Sequence, residues 1–494
     1  MQRTLSRFAL LALVGFLLLA GSPARGATYY VSPSGNDGND GSSPAKAWAT
    51  PGYGSKQLKG GDTLIILGGA YVLSEYPDDM ITPPESGTAA AWTVIKGEAG
   101  HRPVLLGRDN LLAAIEISGL SYVRLENLEI THDPRASGQA IWFREGVELG
   151  GCGGGGPMAH VVLKDLYIHH LDESAINIRD INDLQILNCN FEYCGGGGII
   201  GPTATAGGVQ NLLLKGSRLA YMGHYYQGVI TDQPPGDRPD GLGLEPSSGP
   251  VEIVDTITEH NFGDGFYSKI ANTYIHNCIS ANNAADHIKI WATNSKIENC
   301  LIYGLGDGQE SPWGGIVIDT ENANAHFEIV NVTLHDNPGR GASYPIYVQY
   351  WESGPARPPV TLVLRNTIIA NGYGAAYFGP SVNLTAANNL FFRPGDETQV
   401  EARGRTFTAA EIESGLLGPG NHSRAPNFVR PAWGAVGDYH LLPGSPGIDQ
   451  GTATGAPRVD LEYRPRPLGR GFDLGAYEFP PRPATLMLLP LLLD

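Results

Sequence analysis

The stretch Ile253-Val-Asp-Thr-Ile257 returns as Ile275-His-Asn-Cys-Ile279 and again as Ile297-Glu-Asn-Cys-Leu301, each copy 22 residues after the one before. Each copy begins and ends with an apolar residue, and apolar residues recur with the two-residue period of a β-strand in the sequence leading into it, as in Val251-Glu-Ile253. The third residue is always Asp or Asn, which indicates a turn at the same point of every repeat. Repeats this short must stack to bury a core, so the sequence predicts a solenoid of parallel strands about 4.8 Å apart.

Looser copies of the pattern extend the repeat over most of the chain. Each has an Asp or Asn between apolar residues, at Leu125-Glu-Asn-Leu128, Leu163-Lys-Asp-Leu166, Ile186-Leu-Asn-Cys189, Ile329-Val-Asn-Val332, Leu364-Arg-Asn-Thr-Ile368 and Asn388-Asn-Leu390. Stacked Asn side chains can hydrogen-bond from one coil to the next. The predicted fold is therefore all-β, a right-handed parallel β-helix with an N-terminal cap and a C-terminal loop-rich segment.

Length and composition agree with one elongated stack. The 494 residues include 66 Gly and 36 Pro, yet 42% are hydrophobic, which indicates many turns in a chain that still builds a core. The expected organisation is a signal peptide at 1–26, an N-terminal cap with first coils at 27–107, the coil stack at 108–393, a C-terminal capping segment at 394–480 and an apolar tail at 481–494. The capping segment is expected to cover the end of the stack, where an open β edge invites aggregation.

The start of the chain is typical of a secretory signal, because Arg3 and Arg7 precede the apolar run 8–20. The alternative is an uncleaved membrane anchor, although the run is short for a span. We therefore expect a secreted monomer, extracellular or at the cell surface, with no stable membrane span in the mature chain. Export also permits disulfides. Cys152 and Cys194 could pair, and the alternative is that the cysteines are buried thiols.

Net charge narrows the choice of partner. The chain carries a formal charge of −17, which argues against nucleic acid because phosphate binding needs a basic surface. An acidic sugar polymer stays possible if a local basic strip or a bridging cation meets it.

Both ends of the chain resemble a known group. The N-terminal stretches resemble the opening and first coils of many bacterial pectate-lyase-like β-helix proteins, and the C-terminal ones resemble the end of such secreted proteins: Tyr29-Tyr-Val-Ser-Pro-Ser-Gly-Asn-Asp-Gly-Asn-Asp-Gly-Ser-Ser43, Trp48-Ala-Thr50, Gly61-Asp-Thr-Leu-Ile-Ile66, Trp92-Thr-Val-Ile-Lys-Gly97, Gly444-Ser-Pro-Gly-Ile-Asp-Gln-Gly451 and Asp473-Leu-Gly-Ala-Tyr-Glu-Phe479. The resemblance implies the fold, whereas fold alone does not give the activity.

One wall of the predicted stack collects the polar chemistry. Asp240, Asp264 and Asp286 should stack at the entrance to one strand of successive coils. Strand alternation then sorts the side chains that follow. We expect an inward file of Leu242, Phe266, Ile288 and Ile316, an outward file of Gly243, Tyr267, Lys289 and Val317, and a second outward file of Glu245, Lys269, Trp291 and Asp319.

The outward files suggest a sugar-binding face. Aromatic rings suit the apolar faces of sugars, and basic side chains suit uronate carboxylates. The predicted substrate-binding residues are Tyr267, Lys269, Trp291, Arg179, Arg144 and Trp142, with Asn177, Tyr347 and Gln349 extending the face. The alternative is that the aromatics lie under long loops and that the charges are ordinary solvated side chains.

The segment Asp286-His-Ile-Lys-Ile290 resembles the Asp-Gly-Phe-Lys-Leu stretch of polysaccharide lyase family nine. The resemblance implies that Lys289 is the general base and that Asp264 and Asp286 bind Ca²⁺. Independently of it, the stacked carboxylates of Asp240, Asp264 and Asp286 would repel one another unless a cation lies between them, and such an oxygen-rich cluster suits Ca²⁺. Two features depart from the family pattern: single rather than paired acids precede this stretch, and His287 replaces the glycine. The alternatives are that each aspartate caps its own turn and that Lys289 is a plain surface lysine.

The functional prediction is a secreted, polysaccharide-active protein, a lyase that cleaves a uronate-containing polymer by β-elimination. Two alternatives stay open. One is a non-catalytic extracellular carbohydrate-binding or adhesion module, because β-helices present long ladders to partners. The other is a glycoside hydrolase, for which Glu245 and Asp319 are candidate acid and base.

Overall fold

The computed structural model describes residues 26–150, 156–201, 207–231, 238–306, 312–336, 344–349 and 356–480. Three long sheets run the length of the stack, and successive strands within each sheet are parallel and one coil apart, except for the last pair of the third sheet. Each full coil contributes one strand to the first, the second and the third sheet in turn. The predicted all-β parallel β-helix is thus confirmed.

The strands of the three sheets are as follows, in chain order. The first sheet contains Thr28–Val31, Thr63–Ile66, Thr93–Gly97, Val123–Glu126, Met158–Lys164, Ile181–Leu187, Val209–Lys215, Val251–Val254, Thr273–His276, Ser295–Glu298, Ala325–Val330, Val360–Arg365 and Val382–Ala387. The second contains Ala70–Leu73, Val104–Gly107, Glu129–His132, Tyr167–Leu171, Asn190–Cys194, Arg218–Ala220, Ile257–Glu259, Ile279–Ala281, Leu301–Tyr303, Thr333–His335, Ile368–Ala370 and Leu390–Phe392. The third contains Leu111–Glu116, Phe143–Glu148, Ser174–Asn177, Gly197–Gly201, Leu242–Leu244, Phe266–Ser268, Ile288–Ile290, Gly314–Ile318, Tyr344–Val348, Ala376–Phe378, Thr398–Ala402 and the antiparallel Arg405–Thr408.

Short elements decorate the stack. Two antiparallel hairpins pair Tyr225–Tyr226 with Val229–Ile230 and Phe428–Arg430 with Asp438–Leu441. The helices are the 3-10 turns Pro44–Lys46 and Gly138–Ile141 and the α-helices Pro51–Lys56 and Ala409–Glu413. Among the residues that the structure describes, no helix has the length and apolarity needed to cross a membrane.

The recurring Asp or Asn of the repeat marks the turn between the first and second sheets. All of these residues adopt the left-handed conformation, with φ between 51° and 54° at Asn127, Asp165, Asn188, Asp255, Asn277, Asn299, Asn331, Asn366 and Asn388. Asn and Asp tolerate this conformation better than other residues with a Cβ, because their side chains can bond to the local backbone. Asn366 also donates to Asn331 on the preceding coil at 3.1 Å, as predicted for stacked Asn side chains.

The C-terminal segment covers a flank of the stack as well as its end. Phe407, Ile412 and Leu417 join the main core and close its C-terminal end. Residues beyond 420 instead pack along the outer face of the second sheet, where Tyr439 and Leu461 belong to a second apolar cluster with strand residues of that sheet. The sequence predicted only the covering of the end, because nothing in the repeat shows which face a non-repeating segment will contact.

Three predictions concern parts of the chain that the structure does not describe. The signal peptide, apart from Gly26, and the apolar tail lie outside the described residues, as does Cys152. The other four cysteines are buried free thiols, so Cys194 is not in a disulfide. This agrees with the alternative of buried thiols for the described residues.

Candidate functional site

The register of the third sheet places the predicted files. Phe266 pairs with Ile288 and Ile288 with Ile316, and all three side chains are buried in the core. One residue on, Tyr267 pairs with Lys289, which pairs with Val317. Tyr267 and Lys289 lie on the outer face of the sheet, as the alternation of strand side chains predicts. The same outer file continues through Tyr347, Tyr377 and Glu401 in one direction and through Gly243, Ile200, Asn177 and Glu148 in the other.

The three aspartates stack as expected, and each bonds to the backbone of the next coil. Oδ1 of Asp240 accepts from the amide of Asp264 at 2.7 Å, and Oδ1 of Asp264 accepts from the amide of Asp286 at 2.9 Å. Oδ1 of Asp286 accepts from the amides of Trp313 and Gly314 at 2.7 and 2.9 Å. The column therefore links successive coils. The alternative was that each aspartate caps its own turn, whereas here each carboxylate accepts from backbone amides of the following coil.

Lys289 lies between the two later carboxylates. Its Nζ is 3.0 Å from Oδ2 of Asp286 and 3.2 Å from Oδ2 of Asp264. Burial by itself lowers the pKa of Lys289, but the two carboxylates outweigh it, so the pKa is raised above its ordinary value. A general base must be neutral before it accepts a proton. The contacts therefore favour a structural cation over the predicted base.

The donors of the column do not fit a calcium ion. Calcium takes six to eight oxygen ligands, but Asp264 and Asp286 each use one oxygen on backbone amides and the other on Lys289. Burial raises the pKa of Asp240 well above its ordinary range, with Asp264 adding to the effect. Within the described ranges, no cluster of three or more His, Cys, Asp and Glu side chains is arranged to hold a metal. Calcium stays a prediction of the sequence.

Six aromatic rings line the outer face beside Lys289, and we call them the aromatic strip: Tyr267, Trp291, Trp313, Tyr344, Tyr347 and Tyr377. Ring centroids in contact are 5.5 to 6.2 Å apart, and Trp313 is 47% exposed. Tyr267 and Trp291 contact each other, and Trp313 contacts the tyrosines of the later coils. Lys289 lies between these two groups, because its Nζ is 5.1 Å from the Tyr267 ring and 4.7 Å from the Trp313 ring. Trp313 was missed in the sequence, although a Trp just before the strand Gly-Gly-Ile-Val-Ile is a usable signal.

The basic residues predicted to bind substrate mostly pair with protein carboxylates. Lys269 lies 2.6 Å from Glu245, and its Nζ also lies over the rings of Tyr267 and Trp291 at 5.0 and 5.4 Å. Arg144 lies 2.8 Å from Glu173.

The remaining predicted residues occupy different surroundings. Asp319, proposed as an acid or base on the sequence alone, is 2.6 Å from Arg357. Within the described chain Arg179 has no carboxylate at ion-pair distance, and Trp142 packs 6.1 Å from the ring of Tyr226.

A buried carboxyl pair lies further along the same face. Nδ2 of Asn177 is 3.3 Å from Oε1 of Glu145 and 3.1 Å from Oε2 of Glu148. Burial, then Glu148, raises the pKa of Glu145 to about 9, so this carboxyl holds a proton at neutral pH. Five coil steps separate Glu148 from Lys289, about 24 Å at the usual spacing of parallel strands.

Sequence reasoning missed this pair. The sequence placed Asn177 on the outward face of the stack. The available signal for the pair was Glu145 and Glu148, which lie three residues apart on the strand of the preceding coil. The sequence alone could not show that both carboxyls converge on one amide, because strict alternation would place residues 145 and 148 on opposite faces.

Comparisons with known proteins bear on the fold. A family model described as a right handed beta helix region matches residues 236–391. The complex of XylC with xylose superimposes with a TM-score of 0.55 at 10% identity, over 91% of this chain and 98% of that one. The predicted right-handed parallel β-helix is therefore confirmed, and the resemblance to pectate-lyase-like proteins is confirmed as one of fold.

More distant structures include two lyases. Pectate lyase Pel9A aligns with a TM-score of 0.46 at 14% identity, over 92% of this chain and 98% of that one. A rhamnogalacturonan lyase aligns with a TM-score of 0.42 at 13% identity, over 85% of this chain and 97% of that one. No curated protein matches the sequence significantly.

Proposed function

We propose that this chain binds a polysaccharide along the outer face of the third sheet and cleaves it there. The observation that carries the proposal is the aromatic strip, which leaves Trp313 half exposed beside further rings on successive coils. Trp313 is exposed, Tyr347 is buried and the other four rings of the strip are partly buried. A half-exposed Trp backed by further rings is unfavourable in water unless a ligand covers it, and flat rings match the apolar faces of sugars. XylC, solved with xylose, has the same fold, which is compatible with this proposal.

The chemistry that the side chains support best is hydrolysis. Glu145 holds a proton at neutral pH and can donate it to the departing glycosidic oxygen as the bond to the anomeric carbon breaks. A water molecule then adds to the anomeric carbon and passes a proton to Glu148. Asn177 bonds to both carboxyls and keeps them in place. Glycosidic hydrolysis uses one protonated and one ionised carboxyl at least about 5 Å apart. Glu145 and Glu148 share one amide and bond to each other in the free protein, so the substrate must enter between them.

β-Elimination is the second candidate, and the position of Lys289 favours it. Its Nζ lies beside the Tyr267 and Trp313 rings, where a stacked sugar would place its ring protons. The amine must first lose its proton despite the adjacent Asp264 and Asp286, which is why elimination ranks second. A non-catalytic binding module is the third outcome. In each case we place the protein outside the cell, because its N-terminal sequence is typical of a secretory signal.

Product analysis separates the three functions. Purified protein is incubated with neutral glycans, pectate and alginate, and both new reducing ends and ultraviolet absorbance are followed. Hydrolysis predicts reducing ends without an absorbing product, and Glu145→Gln should abolish them while binding persists. An absorbing unsaturated product would support elimination. Binding without any product would support the module, and no binding to any glycan would contradict the proposal.

A further inference from the structure

We infer that the face is built to bind a neutral glycan and not a polyuronate, an inference that rests on the proposed polysaccharide-binding function. This departs from the acidic polymer expected from the sequence. The difference comes from the partners of the basic side chains, which only the tertiary structure brings together.

Recognition of a polyuronate needs cations that are not already neutralised. Each sugar of such a polymer carries one carboxylate, so a matching surface repeats unpaired Lys or Arg along the groove. The opposite is found beside the aromatic strip. Lys269 is 2.6 Å from Glu245, and Lys289 is shared between Asp264 and Asp286. A substrate carboxylate would have to displace a protein carboxylate from each lysine.

The same pairing holds at both ends of the face. Arg144 is bound to Glu173 at 2.8 Å, and Arg357 to Asp319 at 2.6 Å. Among the basic residues predicted to contact substrate, only Arg179 has no carboxylate partner within the described ranges. A single cation can hold one acidic group but cannot follow a polymer that repeats its charge.

The charge near the strip is negative on balance. Glu245, Asp264 and Asp286 face two lysines, and Glu245 is 46% exposed at the groove. The whole chain carries −17. Both the local and the long-range fields therefore oppose the approach of a polyanion.

What remains on the face suits hydroxyl groups and apolar sugar faces. Trp291 and Asp319 follow Lys269 in one outward file, and Nε1 of Trp291 and Oδ1 of Asp319 are buried atoms with no hydrogen-bond partner among the residues that the structure describes. One is a donor and the other an acceptor, and unsatisfied buried polar atoms are unfavourable. Both atoms are closed to solvent, so a sugar hydroxyl can accept from the first or donate to the second only after the side chains turn outward. The aromatic strip supplies the stacking surface.

Affinity electrophoresis of the full chain tests the inference. Native gels contain a neutral glycan (xylan, β-glucan or arabinan) or a polyuronate (polygalacturonate or alginate), at low and at raised salt. We expect at least about tenfold tighter retardation by one neutral glycan than by either polyuronate, with little salt dependence, because stacking and hydrogen bonds are screened less than charge pairs. Retardation by a polyuronate that weakens with salt would overturn the inference while leaving the proposed function intact. No retardation by any glycan would overturn both.

A charge-release variant sharpens the test. Glu245→Gln frees the ammonium of Lys269, and it should raise polyuronate retardation several-fold over the wild type. Glu252→Gln, at an exposed position on the first sheet, makes the same change in net charge away from the face and should not. An equal gain in both variants would mean that net charge alone governs binding, and a loss of existing polyuronate binding in Glu245→Gln would overturn the inference.

Discussion

Nζ of Lys289 lies 3.0 Å from Oδ2 of Asp286, three residues earlier on the same coil. A second carboxylate, Asp264 on the preceding coil, completes the contact at 3.2 Å. The lysine thus neutralises a stack of aspartates whose other oxygens tie the coils together. This arrangement gives Lys289 a role in stability that is separable from any role in catalysis.

Replacing Lys289 with Met should destabilise the protein by about 3–5 kcal/mol, because two buried carboxylates lose their cation. Chemical denaturation measures the change in the free energy of unfolding. Lys46→Met, at an exposed ion pair in the N-terminal cap, should change it by less than about 1 kcal/mol. Asp264→Asn added to the Lys289 variant should restore part of the loss, since it removes one of the uncompensated charges.

The same variant tests the chemistry. If hydrolysis at Glu145 is correct, folded Lys289→Met protein keeps its kcat, and any change from the lost contacts with the aromatic strip falls on KM. A loss of kcat in folded protein that normally forms an ultraviolet-absorbing product would instead assign Lys289 as the base of an elimination.

Glu145 should make stability depend on pH. Its pKa in the folded chain is about 9, above the ordinary value of 4.5, so between these values the folded state holds a proton that the unfolded state has lost. Stability from this group is therefore complete below pH 4.5 and falls as the pH rises toward 9. Glu145→Gln removes the titration. Thermal midpoints from pH 5 to pH 9 should show the variant gaining on the wild type as the pH rises, and parallel curves would contradict this.

Trp313→Ala should weaken glycan binding about tenfold or more with little effect on stability, because the side chain is 47% exposed yet lies within the aromatic strip. Titration calorimetry with the glycan that binds gives the dissociation constant. Tyr76→Ala removes a more exposed ring, at 64% exposure, from the N-terminal cap and serves as the control. Equal effects of the two substitutions would show that the strip is not the binding surface.

Arg466 should hold the C-terminal segment on the stack. The fully buried guanidinium bonds to Glu478 at 2.7 Å within the segment and to Asn299 at 3.0 Å on the coil. Arg466→Met leaves the Glu478 carboxylate buried and unpaired, so residues 420–480 should become cleavable by protease before the stack does. Arg470→Met, at an exposed position nearby, should leave the cleavage pattern unchanged. Uniform resistance of both variants would show that apolar packing alone holds the segment.

The fold and the direction of most side chains could be predicted from the sequence. Copies of one pattern at a fixed spacing can bury their apolar residues only by stacking, and alternation within each strand then assigns Phe266 and Ile288 to the core and Tyr267 and Lys289 to the surface. The column of Asp240, Asp264 and Asp286 followed from the same register. These features depend on the repeat spacing and on the two-residue period of each strand, and both can be read directly from the sequence.

The partners of those side chains were decided by the tertiary structure alone. Lys289 meets Asp264 instead of solvent, Glu145 and Glu148 converge on Asn177, and Arg466 reaches back to Asn299. Each contact joins residues from different coils or segments, and it depends on rotamers, bends and loop paths that a repeat period does not specify. An ion pair forms only when the two charged groups lie within a few ångströms of each other. Whether the basic side chains of the outer face are neutralised could therefore be seen only in the stacked coils.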